Sequence, residues 1–104
     1  MITANQHNMK NKTDNELIRI YREGNVIGFN ELLERYQAKV YGYIFSLVKD
    51  ADKANEIFQE TFYKVIKTIY SDQYNYEGKF APWVMRIAHS LIFEHFEKEK
   101  NKTC

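Results

Sequence analysis

The sequence predicts an all-α fold, a compact bundle of three main helices preceded by a short N-terminal helix. Apolar residues recur every three or four positions along most of the chain, which is the spacing of one helix face. Four glycines and one proline leave few turns, and this disfavours a many-stranded sandwich or barrel. A chain of 104 residues, 44% hydrophobic and 28% charged, is typical of one globular domain rather than a disordered segment.

Capping residues mark both ends of the short first helix. Thr13 and Glu16 have the spacing of a capping box, in which each side chain accepts a hydrogen bond from the other residue's backbone N–H. We therefore expect a helix from about 14 to 23. Gly24 supplies the left-handed residue that ends it, and Asn25 is placed to cap the next helix. The apolar edge of this first helix consists of Leu17, Ile18 and Tyr21.

Three longer helices follow, at about 26 to 49, at about 52 to 69 and from Phe80 onwards. Pro82 falls in the first turn of the last helix, where its missing N–H costs nothing. Beyond Phe96 the charged sequence predicts a solvated, fraying end. The predicted core positions are Phe29, Leu32, Leu33, Tyr36, Val40, Tyr43, Ile44 and Leu47, then Ala54, Ile57, Phe58, Phe62, Val65 and Ile69, and finally Phe80, Trp83, Val84, Ile87, Ala88 and Leu91.

Charge and composition exclude several classes of protein. The net charge of +1 argues against a polycation that coats nucleic acid by charge alone. The longest uncharged stretch, Val40 to Val48, is far shorter than the roughly 20 residues of a membrane-spanning helix. The N-terminal segment lacks the apolar core of a secretory signal, and Cys104 has no partner cysteine in the chain. We therefore expect a cytoplasmic, reduced protein that is not embedded in a membrane.

A polar stripe lies on one face of the third predicted helix. Glu56, Gln59, Glu60 and Tyr63 share this face, and the two glutamates, one turn apart, repel each other by roughly 0.2–0.5 kcal/mol. A solvated helix face explains the pattern on spacing alone. A docking surface for a basic partner explains it as well, because the partner would offset the repulsion.

The loop before the last helix combines aromatic rings with a cation. Tyr74 and Tyr76 stand in a polar segment, and Lys79 follows just ahead of Phe80. Single-stranded nucleic acid is bound by such combinations, because bases stack on the rings and cations contact the phosphates. The alternative is that the tyrosines fold back and seal the core, and the pattern alone slightly favours it.

The last helix carries a second polar face, formed by Arg86, His89, Ser90 and Phe93, which either reads DNA or faces water. His89 and His95 lie about 120° apart around the helix, so we expect no metal site there. The chain also lacks a glycine-rich phosphate loop and a nucleophile with an evident base. We therefore expect neither an enzyme nor a cofactor.

Two segments resemble region 2 of the bacterial extracytoplasmic-function (ECF) sigma factors of RNA polymerase. Asp52 to Phe62, with its Gln-Glu-Thr-Phe run, resembles the acidic helix of that region. Gly78 to His89 is similar to its promoter-reading helix, and the spacing of Phe29 to Tyr36 also fits. The resemblance makes 13–100 a region 2 domain, between a disordered N-terminal segment, 1–12, and a frayed C-terminus, 101–104.

This resemblance implies a role in transcription initiation. In the family, the acidic helix docks on the clamp helices of the largest subunit of core RNA polymerase, and the loop captures a base flipped from the non-template strand of the promoter minus-ten element. An anti-sigma factor is a further partner that the family implies. The implied polymerase contacts are Glu56, Gln59, Glu60 and Tyr63. The implied DNA contacts are Tyr74, Tyr76, Lys79, Phe80, Trp83, Arg86, His89 and Ser90.

The sequence departs from the family pattern on its last helix. The family usually has Asn at the position of Ser90, Asp or Asn at Glu94 and a basic residue near Glu97. The loss of an amide at Ser90 removes a two-way hydrogen-bonding group, and the glutamates would repel phosphate. An interaction domain that has lost promoter reading is therefore the alternative function. Family members also carry a second helical domain, so we expect either one domain of a longer protein or a reduced relative.

Overall fold

The structure, a computed structural model, describes residues 9–71, 74 and 78–102. In this part of the chain it shows helices α1 (Asp14–Arg22), α2 (Val26–Val48), α3 (Ala51–Tyr70) and α4 (Phe80–Lys102), and no strand. The predicted all-α fold is confirmed, and the predicted helix ends lie within one residue of those observed, except that α4 continues to Lys102. None of the described helices combines the length and the apolar character needed to cross a membrane.

Local capping explains where the helices begin and end. The capping box of Thr13 and Glu16 is formed with both of its hydrogen bonds. At the other end of α1, Gly24 has a φ of +106°. The N–H groups of Gly24 and Asn25 donate to the carbonyls of Tyr21 and Ile20, the hydrogen-bond pattern of a Schellman motif. The Asn25 side chain then caps α2, as predicted.

The core lies where the four helices meet. α1 packs mainly on α2 and α4 mainly on α3, while α2 contacts each of the other three helices. Besides the apolar residues, Thr61 is fully buried, and its hydroxyl donates to the carbonyl of Ile57 at 2.7 Å. The largest fully buried side chains are Phe80, Leu17, Ile18, Leu32, Ile44, Ile69, Val40, Val65, Val84 and Thr61.

One glycine sets how closely α1 approaches α2. A Cβ built on Gly28 would lie 2.5 Å from the carbonyl oxygen of Leu17 and 3.1 Å from the backbone nitrogen of Tyr21. Both of these atoms belong to backbone, which cannot move aside as a flexible side chain can. The absence of a side chain at Gly28 therefore permits the helix contact.

The prediction that Leu47 lies in the core is wrong. Its side chain is 44% exposed. Ile44 is the last fully buried residue of α2, and Lys49 ends the helix in the left-handed conformation one residue after Val48. The apolar periodicity of α2 thus continues for one turn beyond the part of the helix that its neighbours cover.

Arg35 anchors the chain ahead of α1. One of its terminal nitrogens, Nη2, donates to the carbonyl oxygens of Met9, Lys10 and Lys12 at 2.7–3.2 Å. Its other two nitrogens bond to the carboxylates of Asp14 and Glu31, and Glu31 is only 6% exposed. The buried charge of Glu31 is thus paired, and the segment from Met9 to Lys12 is held against α2.

Candidate functional site

The predicted stripe on α3 is exposed along its whole length. Glu56, Gln59, Glu60 and Tyr63 all face solvent, and Tyr63 is 60% exposed. The core does not use these side chains, since the buried residues of α3 lie on its other face. Lys67, which the sequence analysis did not single out, places its Nζ 5.4 Å from the centre of the Tyr63 ring. The stripe is therefore a free surface with an aromatic residue at its end.

A groove between α3 and α4 extends this acidic surface. Glu56 and Glu60 line it from α3, and Glu94 lines it from α4. Lys53 and Glu99 close one side with a salt bridge of 4.0 Å. The sequence analysis expected Glu94 to repel DNA phosphate, but the structure places it on the groove shared with the acidic stripe.

The polar face of α4 is exposed as predicted. Arg86, His89, Ser90 and Phe93 all face solvent, and Phe93 is 61% exposed. Trp83, at the start of the same helix, is half-buried. Arginine, imidazole and hydroxyl groups on one exposed helix face are suited to contact phosphates and base edges.

Tyr43 joins this face from α2. Its half-buried ring packs against the core, as the apolar period predicts, but the period does not indicate a role for its hydroxyl at the surface. Its hydroxyl lies 3.0 Å from Nδ1 of His89. The open groove beside this pair has a volume of about 510 Å³ and is also lined by Pro82, Met85, Arg86 and Ser90. No signal in the sequence pairs Tyr43 with His89, because the residues belong to helices that meet only in the folded chain.

The loop tyrosine Tyr74 is a core residue in the structure. Its side chain is 9% exposed and packs edge-on against the Trp83 ring at a centroid distance of 4.9 Å. Of the two alternatives left open by the sequence, the structure favours the sealing of the core for this residue, because the half-buried Trp83 indole offers it an apolar surface. Phe80, also an expected DNA contact, is 2% exposed. Tyr76 lies outside the described residues.

Lys79 is the exposed cation of this region. It lines a groove between the N-terminus of α1 and the start of α4, together with Asn15, Tyr36 and Pro82. On the wall of this groove, the Tyr36 hydroxyl donates a hydrogen bond to the carboxylate of Asp14. Burial and this hydrogen bond raise the pKa of Tyr36 to about 12.

No group of three His, Cys, Asp or Glu side chains within the described ranges is arranged to hold a metal ion. The candidate surfaces are two exposed helix faces, the stripe on α3 and the polar face on α4. The first is suited to a basic protein surface, and the second to nucleic acid.

Comparison with known proteins connects these surfaces to a family. The family model described as sigma-70 region 2 matches residues 32–102. The ECF sigma factor BldN of Streptomyces coelicolor is 29% identical over 86 residues, and the ECF sigma-E factor of Haemophilus influenzae is 36% identical over 76 residues. The matches cover 82% and 73% of this chain but only 32% and 39% of these relatives. The chain thus spans between about a third and two fifths of their length.

A solved structure shares the fold. It is an NMR structure of an engineered region 2 of sigmaE in complex with GTAAAA. It superposes with a TM-score of 0.75 at 26% sequence identity, covering 88% of this chain and 93% of that one. The described helices therefore have the arrangement of a region 2 that was solved with a short DNA sequence.

Proposed function

The chain belongs to the sigma-70 region 2 family, and from this premise we propose that it is a transcription initiation module of the ECF type. It binds core RNA polymerase and recognises and melts the promoter minus-ten element. Residues 13–100 form the region 2 domain, and the protein acts in the cytoplasm, where promoters and polymerase are found. Its function is binding, without catalysis and without a cofactor.

The observation that carries this proposal is the similarity to the region 2 solved with GTAAAA. The two chains share the fold over nearly their full lengths. The polar face of α4 supplies groups that contact DNA, because Arg86, His89 and Ser90 are exposed together. Lys79 adds a cation at the start of the same helix. Melting would be driven by trapping unpaired bases, which offsets the unstacking cost of a few kcal/mol.

The polymerase contact is proposed for the stripe on α3. Among the described residues, no salt bridge involves the carboxylate of Glu56 or of Glu60, although Lys53 and Lys98 line the same groove. A basic helix of the polymerase clamp would pair with the two carboxylates and cover Gln59 and Tyr63 in the same contact. An anti-sigma factor would compete if it bound the same surface.

A titration with single-stranded hexamers tests promoter recognition. Spectra of the isotope-labelled chain are recorded by NMR at low salt, with GTAAAA and with each of its single-base substitutions. Low salt and single strands are chosen because a net charge of +1 predicts poor binding to duplex DNA at physiological salt. We expect binding that depends on base identity, with shifts at Arg86, His89 and Ser90. Equal shifts for all hexamers, or none, would contradict the proposal.

The alternative function is an interaction domain that has lost promoter reading. One observation favours it: Tyr74 and Phe80, two of the expected base contacts, present almost no surface in the described structure. Ser90 also replaces the usual amide of the family. The same titration, together with a second one against a polymerase clamp fragment, discriminates the two functions, because an interaction domain would bind the fragment and show no preference among the hexamers.

A further inference from the structure

The Tyr43 hydroxyl and the His89 ring form a hydrogen-bonded pair at the edge of the polar face of α4. The oxygen and Nδ1 are 3.0 Å apart. Tyr43 is half-buried on α2, whereas His89 is exposed on α4. The pair therefore has one partner fixed in the bundle and the other open to a ligand.

This pair offers one hydrogen-bond donor and one acceptor to a ligand in either protonation arrangement of the neutral ring. If Tyr43 donates to Nδ1, Nε2 of His89 carries the proton and donates outwards, and the phenol oxygen accepts. If Nδ1 donates to the phenol oxygen, the hydroxyl donates outwards and Nε2 accepts.

The position of the pair places its hydrogen-bonding groups beside a groove that is open to a ligand. The open groove beside it also contains the hydroxyl of Ser90. Pro82 and Met85 contribute apolar surface to the groove, and Arg86 contributes a cation. Apolar surface with a few polar groups is suited to an unstacked base, and a nearby guanidinium is suited to a phosphate.

We infer that Tyr43 positions His89 so that the free ring nitrogen, Nε2, reads the edge of one promoter base in this groove. The inference rests on the proposed function and adds Tyr43, a residue of α2, to the DNA-reading surface. Its ligand is a DNA base whose edge presents a hydrogen-bonding group to this nitrogen.

Four chains test the inference: the parent, Tyr43→Phe, His89→Ala and the double variant. Each is titrated with GTAAAA and with all of its single-base substitutions. Tyr43→Phe removes only the hydroxyl, so we expect about a three- to tenfold loss of affinity for the best-bound hexamer. We also expect the preference among bases to be lost at one position of the hexamer and kept at the others.

The double variant separates positioning from a general effect on the fold. If Tyr43 acts through His89, Tyr43→Phe causes no further loss once His89 is Ala. Tyr70→Phe is the matched control, since its exposed hydroxyl also makes one 3.0 Å hydrogen bond, to the carbonyl of Tyr21, at a different place in the fold. Melting curves confirm that each variant is folded.

Each outcome decides the inference. The inference is supported if Tyr43→Phe loses the base preference at one position of the hexamer. Tyr70→Phe must keep this preference, and Tyr43→Phe must have no further effect once His89 is Ala. An unchanged base preference in Tyr43→Phe, or equal losses with and without His89, overturns it while the proposed function stands. A parent chain that binds polymerase but no hexamer overturns promoter reading and this inference with it.

Discussion

The ring of Tyr74 packs edge-on against the indole of Trp83, with the ring centroids 4.9 Å apart. Trp83 in turn lies 5.9 Å from Phe80, measured between ring centroids. Three aromatic residues expected to touch DNA thus form a cluster, of which only Trp83 retains appreciable exposure. In this region the packing of the core and the start of α4 depend on the same side chains.

The first prediction concerns this cluster. Tyr74→Ala removes a ring that is 9% exposed, and we expect it to lower the free energy of unfolding by about 3 kcal/mol. Chemical denaturation of the parent and the variant measures the difference. Phe93→Ala is the matched control, because that ring is 61% exposed and its loss should change stability by less than about 0.5 kcal/mol. Equal stability of parent and Tyr74→Ala would show that Tyr74 does not seal the core.

The contact between α1 and α2 gives the second prediction. Gly28→Ala places a Cβ 2.5 Å from the Leu17 carbonyl oxygen, so we expect a loss of about 1–3 kcal/mol although Ala favours helix. Gly42→Ala is the matched substitution in the same helix, where the added Cβ has nothing within 4 Å apart from its chain neighbours and the nearby backbone of its own helix. It should stabilise the protein by about 0.5–1 kcal/mol. Thermal unfolding of both variants checks the opposite signs, and two stabilising substitutions would contradict the close approach.

The third prediction tests the proposed polymerase contact. Glu60→Lys reverses an exposed charge in the middle of the stripe on α3, and we expect binding to a clamp-helix fragment of core polymerase to fall at least about tenfold, or about 1.4 kcal/mol. Fluorescence anisotropy of the labelled fragment measures the affinity. Stability should change by less than about 0.5 kcal/mol.

Glu23→Lys is the control for this charge reversal. It changes the net charge of the chain equally, at an exposed position that follows α1. Its binding should stay within about twofold of the parent, because distant charges are screened by salt. If both variants bound the fragment as well as the parent, the stripe would be an ordinary solvated face.

The fourth prediction concerns alkaline pH. The pKa of Tyr36 is raised from 10.0 to about 12, first by burial and then by the hydrogen bond to Asp14. A pKa that is higher in the folded state means that the unfolded chain releases the proton first. The contribution of Tyr36 to the free energy of unfolding is therefore complete below pH 10 and is lost as the pH rises towards 12.

Tyr36→Phe removes this titration. At pH 8 the variant should be less stable by about 1 kcal/mol, because the hydrogen bond to Asp14 is lost. The gap between variant and parent should narrow at pH 11, since only the parent loses the contribution of Tyr36. Urea unfolding of both proteins at the two pH values provides the comparison. A gap of constant size would show that the Tyr36 hydroxyl titrates alike in the folded and unfolded chains.

The sequence by itself determined the helices and the surfaces they expose. Capping by Thr13 and Asn25 and termination at Gly24 are local, because the groups that bond are within a few residues of one another. The apolar period is equally local, so it located the core face of each helix and left the α3 stripe and the α4 polar face as exposed surfaces. The same period failed at Leu47, since it records a face and not how far a neighbouring helix covers it.

Only the tertiary structure decided which side chains from different helices meet. Tyr43 and His89 are 46 residues apart, and Arg35 is separated from Asp14 by 21, so no spacing rule connects either pair. Tyr74 lies in a loop, where no period distinguishes a buried ring from an exposed one. These contacts depend on how the helices pack against one another, which is set by summed packing over the whole core. The absent Cβ at Gly28 contributes to this packing where α1 approaches α2.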